Sequence, residues 1–401
     1  MILNRIEKLI EEMCPDGIQE KILSDLAEIG TGKSNTKDAV KNGIYPFYVR
    51  SKEIRRSNKY IYDEEAIVIP GEGGIGEIFH LVNGKYNLHQ RAYRIHLNTK
   101  LVSIEYLYYY MMANFKEYII LQSFNATVSS IRKPMIENFY VKIPPLEIQN
   151  KIVEILDNFT ELESELESEL ESRTKQYDYY RNKLLDFSKG YVGVPRIDEM
   201  LAEICPNGLT YKVISEVFNF RNGYTPSKKK PEYWQDGNVP WFRMEDIRKN
   251  GGILSKSIQY VNYKGVRGIP FPPNSIIVGT TATIGIHALI TVESLANQQF
   301  TYLFLKDQFE NIMDMKYFYY YMFVIDEWLK NNVSTSGFSI VNMKNFKSLS
   351  IPIPPLEIQN EIVKILDTFS EYTTSLKEGL PAEIEARRKQ YEYYRNKLLT
   401  F

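Results

Sequence analysis

Polar and basic side chains cluster in short stretches between the apolar runs of this 401-residue chain. Arg and Lys neutralise phosphates, whereas Arg, Asn and Gln can form paired hydrogen bonds with guanine or adenine edges. Ser and Thr hydroxyls on turns suit contacts to a sugar–phosphate backbone. We therefore interpret these stretches as candidate nucleic-acid contacts, against the simpler interpretation that surface loops are polar anyway.

The candidate residues form two groups, one in each half of the chain. Those of the first half lie in four stretches and are Lys33, Ser34, Asn35, Lys37, Arg50, Lys52, Arg55, Arg56, Lys59, His89, Gln90, Arg91, Ser129 and Arg132. Those of the second half lie in five stretches and are Arg221, Tyr224, Thr225, Lys228, Lys229, Lys230, Arg243, Arg248, Thr280, Thr281, Thr283, Asn297, Gln298, Ser334, Ser336 and Ser339.

Motifs for catalysis or cofactor binding are not recognisable in the sequence. Gly71, Gly73 and Gly76 form a G-x-G-x-x-G, but the following IFHLVNGKYNL predicts a strand and a turn, and a dinucleotide loop requires a helix there. We interpret the glycines as a hairpin turn. With two cysteines and four scattered histidines we expect no metal site, and we expect neither a cofactor nor an enzyme.

Composition and charge indicate a globular protein with unevenly distributed charge. Apolar residues make up 44% and charged residues 25%, no apolar run is long enough for a membrane span, and the charged N-terminus does not resemble a signal peptide, so we expect a cytoplasmic protein. The net charge is −1, yet residues 18–145 carry 17 Lys/Arg against 13 Asp/Glu and residues 209–355 carry 16 against 11. The candidate stretches therefore lie in the basic parts of the chain.

The elements that position these stretches occur twice. IPPLEIQN stands at 143–150 and again at 353–360, and RTKQYDYYRNKLLDF (173–187) returns as RRKQYEYYRNKLLTF (387–401) with 12 of 15 positions identical. RIEKLIEEMCPDG (5–17) returns as RIDEMLAEICPNG (196–208). Two similar scaffolds that carry dissimilar modules predict an internal pseudo-dimer.

Apolar residues at alternating steps of three and four predict a long helix after each IPPLEIQN. The first covers 146–187 and, without Pro or Gly, is about 60 Å long at 1.5 Å per residue. The second covers 356–401 and carries four additional residues, a coiled-coil stutter, where Gly379 and Pro381 predict a kink or break. Matching seams favour antiparallel packing of the two helices.

Short β-branched runs and one tyrosine-rich helix in each module predict an α+β fold. We expect two modules with a mixed, mostly antiparallel sheet, joined by the two long antiparallel coiled-coil helices in a pseudo-twofold repeat. The predicted boundaries are 1–145 for the first module with its short N-terminal helix, 146–187 for the first long helix, 188–195 for a linker, 196–355 for the second module and 356–401 for the second long helix. The tyrosines of the helices near 103–115 and 314–329 are interpreted as packing residues.

Residues 223–247 resemble the start of a target recognition domain in the specificity (S) subunit of type I restriction–modification enzymes. The pattern Gly-x-Thr-Pro, then Tyr-Trp, Gly and Pro-Trp is matched by Gly223, Thr225, Pro226, Tyr233, Trp234, Gly237, Pro240 and Trp241. The IPPLEIQN segments resemble that family's strand-to-helix junction, and the resemblance covers essentially the whole chain. The first module has TGKSNT and GIYPFYVRS instead of the Thr-Pro and Tyr-Trp pattern, so it resembles another subclass.

This resemblance implies a non-catalytic DNA-specificity subunit. Each recognition domain would read one half of a bipartite duplex site, the helices would set the spacer, and the scaffold would dock two methyltransferase subunits and, through them, the restriction–motor subunits. Methylation and cleavage would come from those partners. Independently of the resemblance, a helix of about 60 Å can span half-sites roughly 34 Å apart.

Two questions stay open at this stage. The near-duplicate helix ends predict docking of two copies of one partner through Tyr177, Tyr180, Leu184, Tyr391, Tyr394 and Leu398, but helix–helix packing alone explains the same likeness. The chain is alternatively a two-armed protein-binding scaffold unrelated to DNA, or a self-contained nuclease or methyltransferase with an unfamiliar site. Salt-dependent binding to a split duplex sequence would separate a DNA-specificity subunit from a protein-binding scaffold. Failure of the purified chain to methylate DNA without a partner would separate it from a self-contained enzyme.

Overall fold

The chain folds into two compact units that each combine one module with parts of the long helices. A computed structural model describes residues 2–122, 130–334, 340–374 and 379–401. Unit 1 contains Met1–Glu167 and Glu383–Phe401, and unit 2 contains Ser168–Ala382. The domain boundaries given by the sequence remain a prediction.

Unit 1 begins with a short helix and is built around one sheet. Its helices are α1 (Ile2–Met13), α2 (Ile104–Leu121), α3 (Lys133–Glu137) and the first part of α4 (Leu146–Leu184), with 3₁₀ turns at Leu23–Asp25 and Thr36–Asp38. Its strands are β1 (Gln19–Ile22), β2 (Ala27–Thr31), β3 (Tyr45–Tyr48), β4 (Arg55–Ser57), β5 (Tyr62–Pro70), β6 (His80–Leu88), β7 (Ala92–Leu97) and β8 (Tyr140–Ile143).

The main sheet of unit 1 has the order β2-β7-β5-β6-β3-β4, and a separate pair joins β1 to β8. Only the β3–β6 pairing in this sheet is parallel, so the predicted mixed, mostly antiparallel sheet is confirmed. One sheet face packs on α2, whose Tyr106, Leu107 and Phe115 are fully buried. The tyrosines of this helix are packing residues, as predicted.

Unit 2 follows the same plan with more irregular strands. Its helices are the rest of α4, α5 (Pro195–Ile204), α6 (Ile214–Val217), α7 (Met244–Asn250), α8 (Met315–Asn331), α9 (Met343–Lys347) and α10 (Leu356–Thr374), with 3₁₀ turns at Pro231–Tyr233, Tyr263–Gly265 and Asp307–Phe309. Its strands are β9 (Thr210–Val213), β10 (Phe218–Asn222), β11 (Val239–Phe242), β12 (Ile253–Leu254), β13 (Tyr260–Val261), β14 (Ser275–Gly279), β15 (His287–Ile290), β16 (Leu295–Ala296), β17 (Phe300–Leu305), β18 (Val333–Ser334), β19 (Ile340–Val341) and β20 (Ser350–Ile353).

The sheets of unit 2 surround two apolar cores. A five-stranded sheet has the order β10-β17-β14-β15-β12, a three-stranded sheet has the order β13-β11-β16, and β20 pairs with β9 as β8 pairs with β1 in unit 1. One core lies on α8, where Tyr317 is fully buried and Tyr320 is 2% exposed. The other lies between the two larger sheets around Trp241, Phe271 and Tyr302.

The second long helix is described as two helices, α10 and α11 (Leu380–Leu399). Pro381 is the second residue of α11, where its missing N–H removes no helical hydrogen bond. Proline therefore stands in the first turn of a new helix, and the prediction of an interruption near Gly379–Pro381 agrees with these bounds. Part of the predicted stutter, residues 375–378, lies outside the described residues.

Within each unit, a segment of one long helix pairs antiparallel with a segment of the other. In unit 1 Phe159 stacks on Tyr394 with ring centroids 5.2 Å apart, and Arg388 binds the Glu163 carboxylate at 2.9 Å. Residue numbers rise along one segment and fall along the other, so the predicted antiparallel direction is confirmed here. In unit 2 the repeat-equivalent Tyr180 stacks on Phe369 at 5.6 Å.

The glutamine of each IPPLEIQN segment has the same structural role in both units. The fully buried Gln149 amide donates to the carbonyls of Leu101 (2.9 Å) and Pro144 (2.7 Å) and accepts from the Ser103 N–H (2.9 Å). In unit 2 the equally buried Gln359 donates to the carbonyls of Ile312 and Pro354 and accepts from the Asp314 N–H. Each glutamine thus fixes the start of a long helix to the start of the tyrosine-rich helix.

Candidate nucleic-acid interface

The predicted stretches of unit 1 meet at one end of its main sheet. The backbone N–H of Gln90 donates to the Ser34 carbonyl at 2.9 Å, and the N–H of His89 donates to the Tyr48 carbonyl at 3.0 Å. The Gly71 N–H donates to the Arg91 carbonyl at 2.8 Å. The first stretch, the start of the second stretch after β3, and the third stretch are therefore held together by backbone hydrogen bonds, whereas Arg55 and Arg56 of the second stretch lie in β4.

The fourth stretch of unit 1 ends at the same place. The Ile131 N–H donates to the Gly71 carbonyl at 2.7 Å, so Arg132 follows a residue that is anchored beside the glycine turn. That turn is followed by β6 and not by a helix, as the hairpin interpretation predicts. Ser129 lies outside the described residues.

The stretches of unit 2 meet in the same manner. The N–H of Tyr224 donates to the Ala296 carbonyl at 2.8 Å, and the N–H of Asn297 donates to the Phe242 carbonyl at 3.1 Å. The N–H of Thr280 donates to the Gln299 carbonyl at 3.0 Å. The chain that leaves the fifth stretch also arrives here, since Val341 donates to the Thr280 carbonyl. Ser336 and Ser339 lie outside the described residues, as does the side chain of Ser334.

Close backbone approach at one glycine gives the two modules a common framework. A Cβ on Gly32 would lie 1.8 Å from the Leu88 carbonyl oxygen, and one on Gly223 would lie 2.2 Å from the Asn297 carbonyl oxygen. Any side chain would separate these strands. Ser34 of unit 1 is therefore the positional counterpart of Thr225 in unit 2. Unit 1 shares the framework of the Gly-x-Thr-Pro pattern although its sequence lacks it.

Of the candidate side chains that the structure describes, most are exposed, nine are partly buried and two are buried. The exposed candidates of the two units are Lys33, Asn35, Lys37, Arg50, Lys52, Arg56, Lys59, Gln90, Arg91, Arg132, Lys228, Lys229, Lys230, Arg248 and Gln298. The partly buried candidates are Ser34, Arg55, Arg221, Tyr224, Thr225, Arg243, Thr281, Thr283 and Asn297. His89 and Thr280 are 2% and 6% exposed. Their side chains face the protein interior, which argues against direct base contact by either.

His89 and Thr280 instead organise the turns on which they lie. The His89 Nδ1 accepts the N–H of Arg91 at 3.0 Å, and the Thr280 hydroxyl lies 3.1 Å from that of Thr301. Burial, followed by the charges of Arg50 and Arg91, lowers the pKa of His89 below its ordinary value. A neutral imidazole is the form that accepts this hydrogen bond.

A carboxylate that sequence reasoning missed lies among the cations of unit 1. Glu72 binds Arg91 at 2.7 Å and Arg50 at 3.0 Å. Hydrogen bonds from Arg91 and then Arg50 lower the pKa of the Glu72 carboxyl, so it is ionised at neutral pH. In contrast, no carboxylate of the described residues lies within 4.0 Å of the side-chain nitrogens of Lys33, Lys52 or Arg56. Glu72 stands two residues after the end of strand β5, a signal that could have identified it.

Two cations of unit 2 are similarly engaged. Arg243 binds Glu245 at 2.9 Å and lies over the Trp241 ring, while the Arg221 guanidinium lies 4.2 Å from the Phe271 ring centroid. These contacts orient the two arginines at the edge of the loop cluster. Lys228, Lys229 and Lys230 are exposed, and the Lys230 ammonium donates to the Tyr233 hydroxyl at 3.1 Å.

The six predicted docking residues are used within their own units. Tyr177, Leu184 and Leu398 are 6%, 0% and 2% exposed, and Tyr180, Tyr391 and Tyr394 pack on helices or stack on phenylalanines. Contacts inside each unit therefore account for these side chains. The exposed aromatic residues of the duplicated segments are Tyr179 (60%) and its repeat equivalent Tyr393 (54%), which the sequence did not single out.

Two classes of site receive no support from the described part of the chain. Residues 2–122, 130–334, 340–374 and 379–401 contain no group of three or more His, Cys, Asp or Glu side chains that could hold a metal ion. Among these residues, no helix has the length and apolar character needed to cross a membrane.

Comparison with known families decides the identity. The family model described as "Type I restriction modification DNA specificity domain" matches residues 15–173 and again residues 206–386. The chain belongs to this family. The model matches twice, once in each half of the chain, and each match runs on into the long helix that follows the module, so the resemblance to this family and the twofold occurrence of its domain are confirmed.

Curated relatives are named as specificity subunits of type I restriction enzymes. The EcoprrI specificity subunit of Escherichia coli is 51% identical over 196 residues, which is 47% of this chain and 49% of that protein. The EcoR124I/EcoR124II specificity subunit of E. coli is 36% identical over 64% of this chain and 60% of that protein. These matches thus span about half to three fifths of the two relatives. A putative specificity subunit of Haemophilus influenzae, S.HindORF215P, is 28% identical over 99% of this chain and 98% of that protein.

Solved structures share the fold. The type I restriction–modification S subunit of M. genitalium aligns with a TM-score of 0.54 at 16% identity, over 95% of each chain. A second structure, from work on complex assembly and conformational transition of the type I R-M system, aligns with a TM-score of 0.60 at 14% identity, over 96% of this chain and 98% of that one.

Proposed function

We propose that this chain is the DNA sequence-specificity subunit of a type I restriction–modification complex. Each unit would read one half of a bipartite duplex site with the loop cluster at the end of its sheet. The observation that carries this proposal is the duplicated cluster itself: in each module, stretches far apart in sequence meet through backbone hydrogen bonds, and those of His89 and Gly71 in unit 1 are equivalent to those of Asn297 and Thr280 in unit 2.

The chemistry of the clusters fits double-stranded DNA. Exposed Lys and Arg side chains suit phosphates, and exposed Gln and Asn side chains suit base edges. The exposed side chains of these turns are mainly cationic and amide, which suits a polyanionic duplex. The match to a family described as a DNA specificity domain also favours DNA recognition.

The long helices would set the distance between the half-sites and dock partner subunits. Duplicated helix ends suit two copies of one methyltransferase subunit, which would bring the restriction–motor subunits with them. Tyr179 and Tyr393 are the exposed aromatic residues at equivalent positions, so they are better docking candidates than the six packed residues. The subunit itself would be non-catalytic, with methylation and cleavage supplied by its partners. Action on genomic DNA would place it in the cytoplasm.

Salt-dependent DNA binding tests the proposal. The full chain should bind a duplex that carries its split site, with log K falling by roughly 0.9 per neutralised phosphate for each unit of log salt. Replacing Lys228, Lys229 and Lys230 by Gln should reduce this slope by up to about 2.7. The matched control replaces three exposed helix lysines, Lys175, Lys364 and Lys389, and should leave the slope unchanged. Equal slopes in the two triple variants would contradict the proposed interface.

A further inference from the structure

The two modules place a glutamine at the same position of the same turn. In unit 1 β3 pairs parallel with β6, so that Tyr48 lies opposite Leu88. In unit 2 β11 pairs parallel with β16, and Phe242 lies opposite Ala296. Gln90 and Gln298 each follow the end of this parallel pair by two residues. They are structural counterparts although the surrounding sequences, LHQRA and ANQQF, differ.

Both turns are closed by the same hydrogen bonds. The N–H of Ala92 donates to the His89 carbonyl at 3.0 Å, and the N–H of Phe300 donates to the Asn297 carbonyl at 3.2 Å. Inside the turn, the Arg91 N–H donates to the His89 Nδ1, and the Gln299 N–H donates to the Asn297 Oδ1, each at 3.0 Å. The first side chain of each turn is thus used as an internal acceptor.

The middle side chain of each turn is left facing solvent. Gln90 and Gln298 are exposed, whereas His89 is buried and Asn297 partly buried. The residues that precede the two glutamines, His89 and Asn297, are held by the backbone hydrogen bonds described above. Each glutamine side chain therefore stands on a turn whose backbone is fixed before any ligand binds. Such preorganisation reduces the entropy lost when a side chain forms paired hydrogen bonds.

The two amides differ in their local partners. The Thr225 hydroxyl donates to the Gln298 Oε1 at 2.6 Å, which orients the amide and leaves its NH₂ group and the second lone pair of Oε1 available. Ser34, the counterpart of Thr225, donates instead to Asn87 at 2.8 Å. Among the described residues, none forms a hydrogen bond with the Gln90 side chain. Gln90 therefore has its full hydrogen-bonding capacity.

We propose that Gln90 and Gln298 are equivalent base-reading side chains, each of which recognises one adenine, one in each half-site. This inference rests on the proposed function. An amide presents an adjacent acceptor and donor, which match the N6 donor and N7 acceptor on the major-groove edge of adenine. The surrounding exposed side chains are mostly Lys and Arg, which suit phosphates and would position the turns on the duplex.

Selection from random-sequence duplexes tests this assignment. The full chain and its variants Gln90→Ala and Gln298→Ala are each used to enrich bound duplexes, which are then sequenced. Gln90→Ala should lose the preference for adenine at one position of one half-site, by about 5- to 150-fold, and keep the other half-site intact. Gln298→Ala should do the same in the other half. Gln19→Ala and Gln308→Ala, at exposed glutamines outside the turns, serve as controls.

A second pair of variants should acquire a new base preference, a result that misfolding cannot produce. Gln90→Glu and Gln298→Glu should move the preference at the same position from adenine to cytosine, because a carboxylate accepts from the cytosine N4 group. If the unmodified chain selects a split sequence and all four variants retain its full adenine preferences, the inference is wrong. If the unmodified chain selects no duplex, the proposed function fails and the inference fails with it.

Discussion

The buried glutamines of the IPPLEIQN segments should be highly sensitive to substitution. Replacing Gln149 by Met keeps the side-chain volume but removes three hydrogen bonds, to the Leu101 and Pro144 carbonyls and from the Ser103 N–H. A buried polar group without a partner costs about 1–3 kcal/mol. With partial relaxation, Gln149→Met should lower the free energy of unfolding by roughly 3–5 kcal/mol.

Unfolding experiments can locate this loss as well as measure it. A domain of 150–250 residues loses about 2–4 °C in Tm per kcal/mol, so a decrease of roughly 10 °C is expected. Hydrogen exchange should accelerate at the Ser103 amide and the first turn of α2 in Gln149→Met. In Gln359→Met it should accelerate at the Asp314 amide and the first turn of α8. The control Asn150→Ala changes an exposed neighbour and should stay within about 0.5 kcal/mol of the unmodified chain.

A charged variant gives a pH test of the same geometry. In Gln149→Glu, two carboxylate oxygens would stand where the amide nitrogen now donates and its oxygen accepts, so burial should raise the pKa of the new carboxyl. A group whose pKa is raised on folding favours the folded state least when it is ionised. Stability should therefore fall as pH rises above about 4.3, the ordinary value for Glu. If the stability of Gln149→Glu did not depend on pH, or if Gln149→Met were as stable as the control, the anchoring role would be refuted.

Three further predictions concern DNA binding. Glu72→Gln should release Arg50 and Arg91 and steepen the slope of log K against log salt by up to about 2, with little change in sequence preference. An unchanged slope would show that these arginines do not reach phosphates. Four residues added to both long helices, one turn of about 6 Å, should lengthen the preferred spacer by about one or two base pairs, and a constant spacer would exclude the helices as its determinant. Replacing residues 18–145 with another recognition module should change one half of the methylated site, as mapped in cells carrying the complete system, and a change in both halves would contradict independent reading.

The repeats and periodic patterns predicted the architecture because they reflect buried contacts. The resemblance implied a strand-to-helix junction at each IPPLEIQN and the apolar spacing predicted a long helix after it, and the chain forms β8 before α4 and β20 before α10. The tyrosine-rich helices and the antiparallel seams were also predicted, since their apolar spacing is imposed by packing. The partner of the buried Gln149 was not predictable, because Ser103 lies 46 positions away and only the fold brings it near.

The candidate site was predicted by stretch but not by side chain. Polar composition identified loops that do meet, yet it could not separate an inward His89 from an outward Gln90, because both residue types are polar and adjacent. It also missed Glu72, since an acidic residue opposes the charge pattern that was sought. Its role depends on distances to two arginines from other stretches.

The framework of the loop clusters explains how two unlike modules can share one scaffold. Backbone hydrogen bonds and one closely approached glycine hold the turns, and these depend little on the exposed side chains. Exchange of Gln90 or Gln298 should therefore alter base preference while the turn keeps its shape. His89, which is buried, and Asn297, which is partly buried, belong to the framework because each accepts a backbone N–H within its turn. Replacing either should weaken binding to its half-site without creating a new base preference.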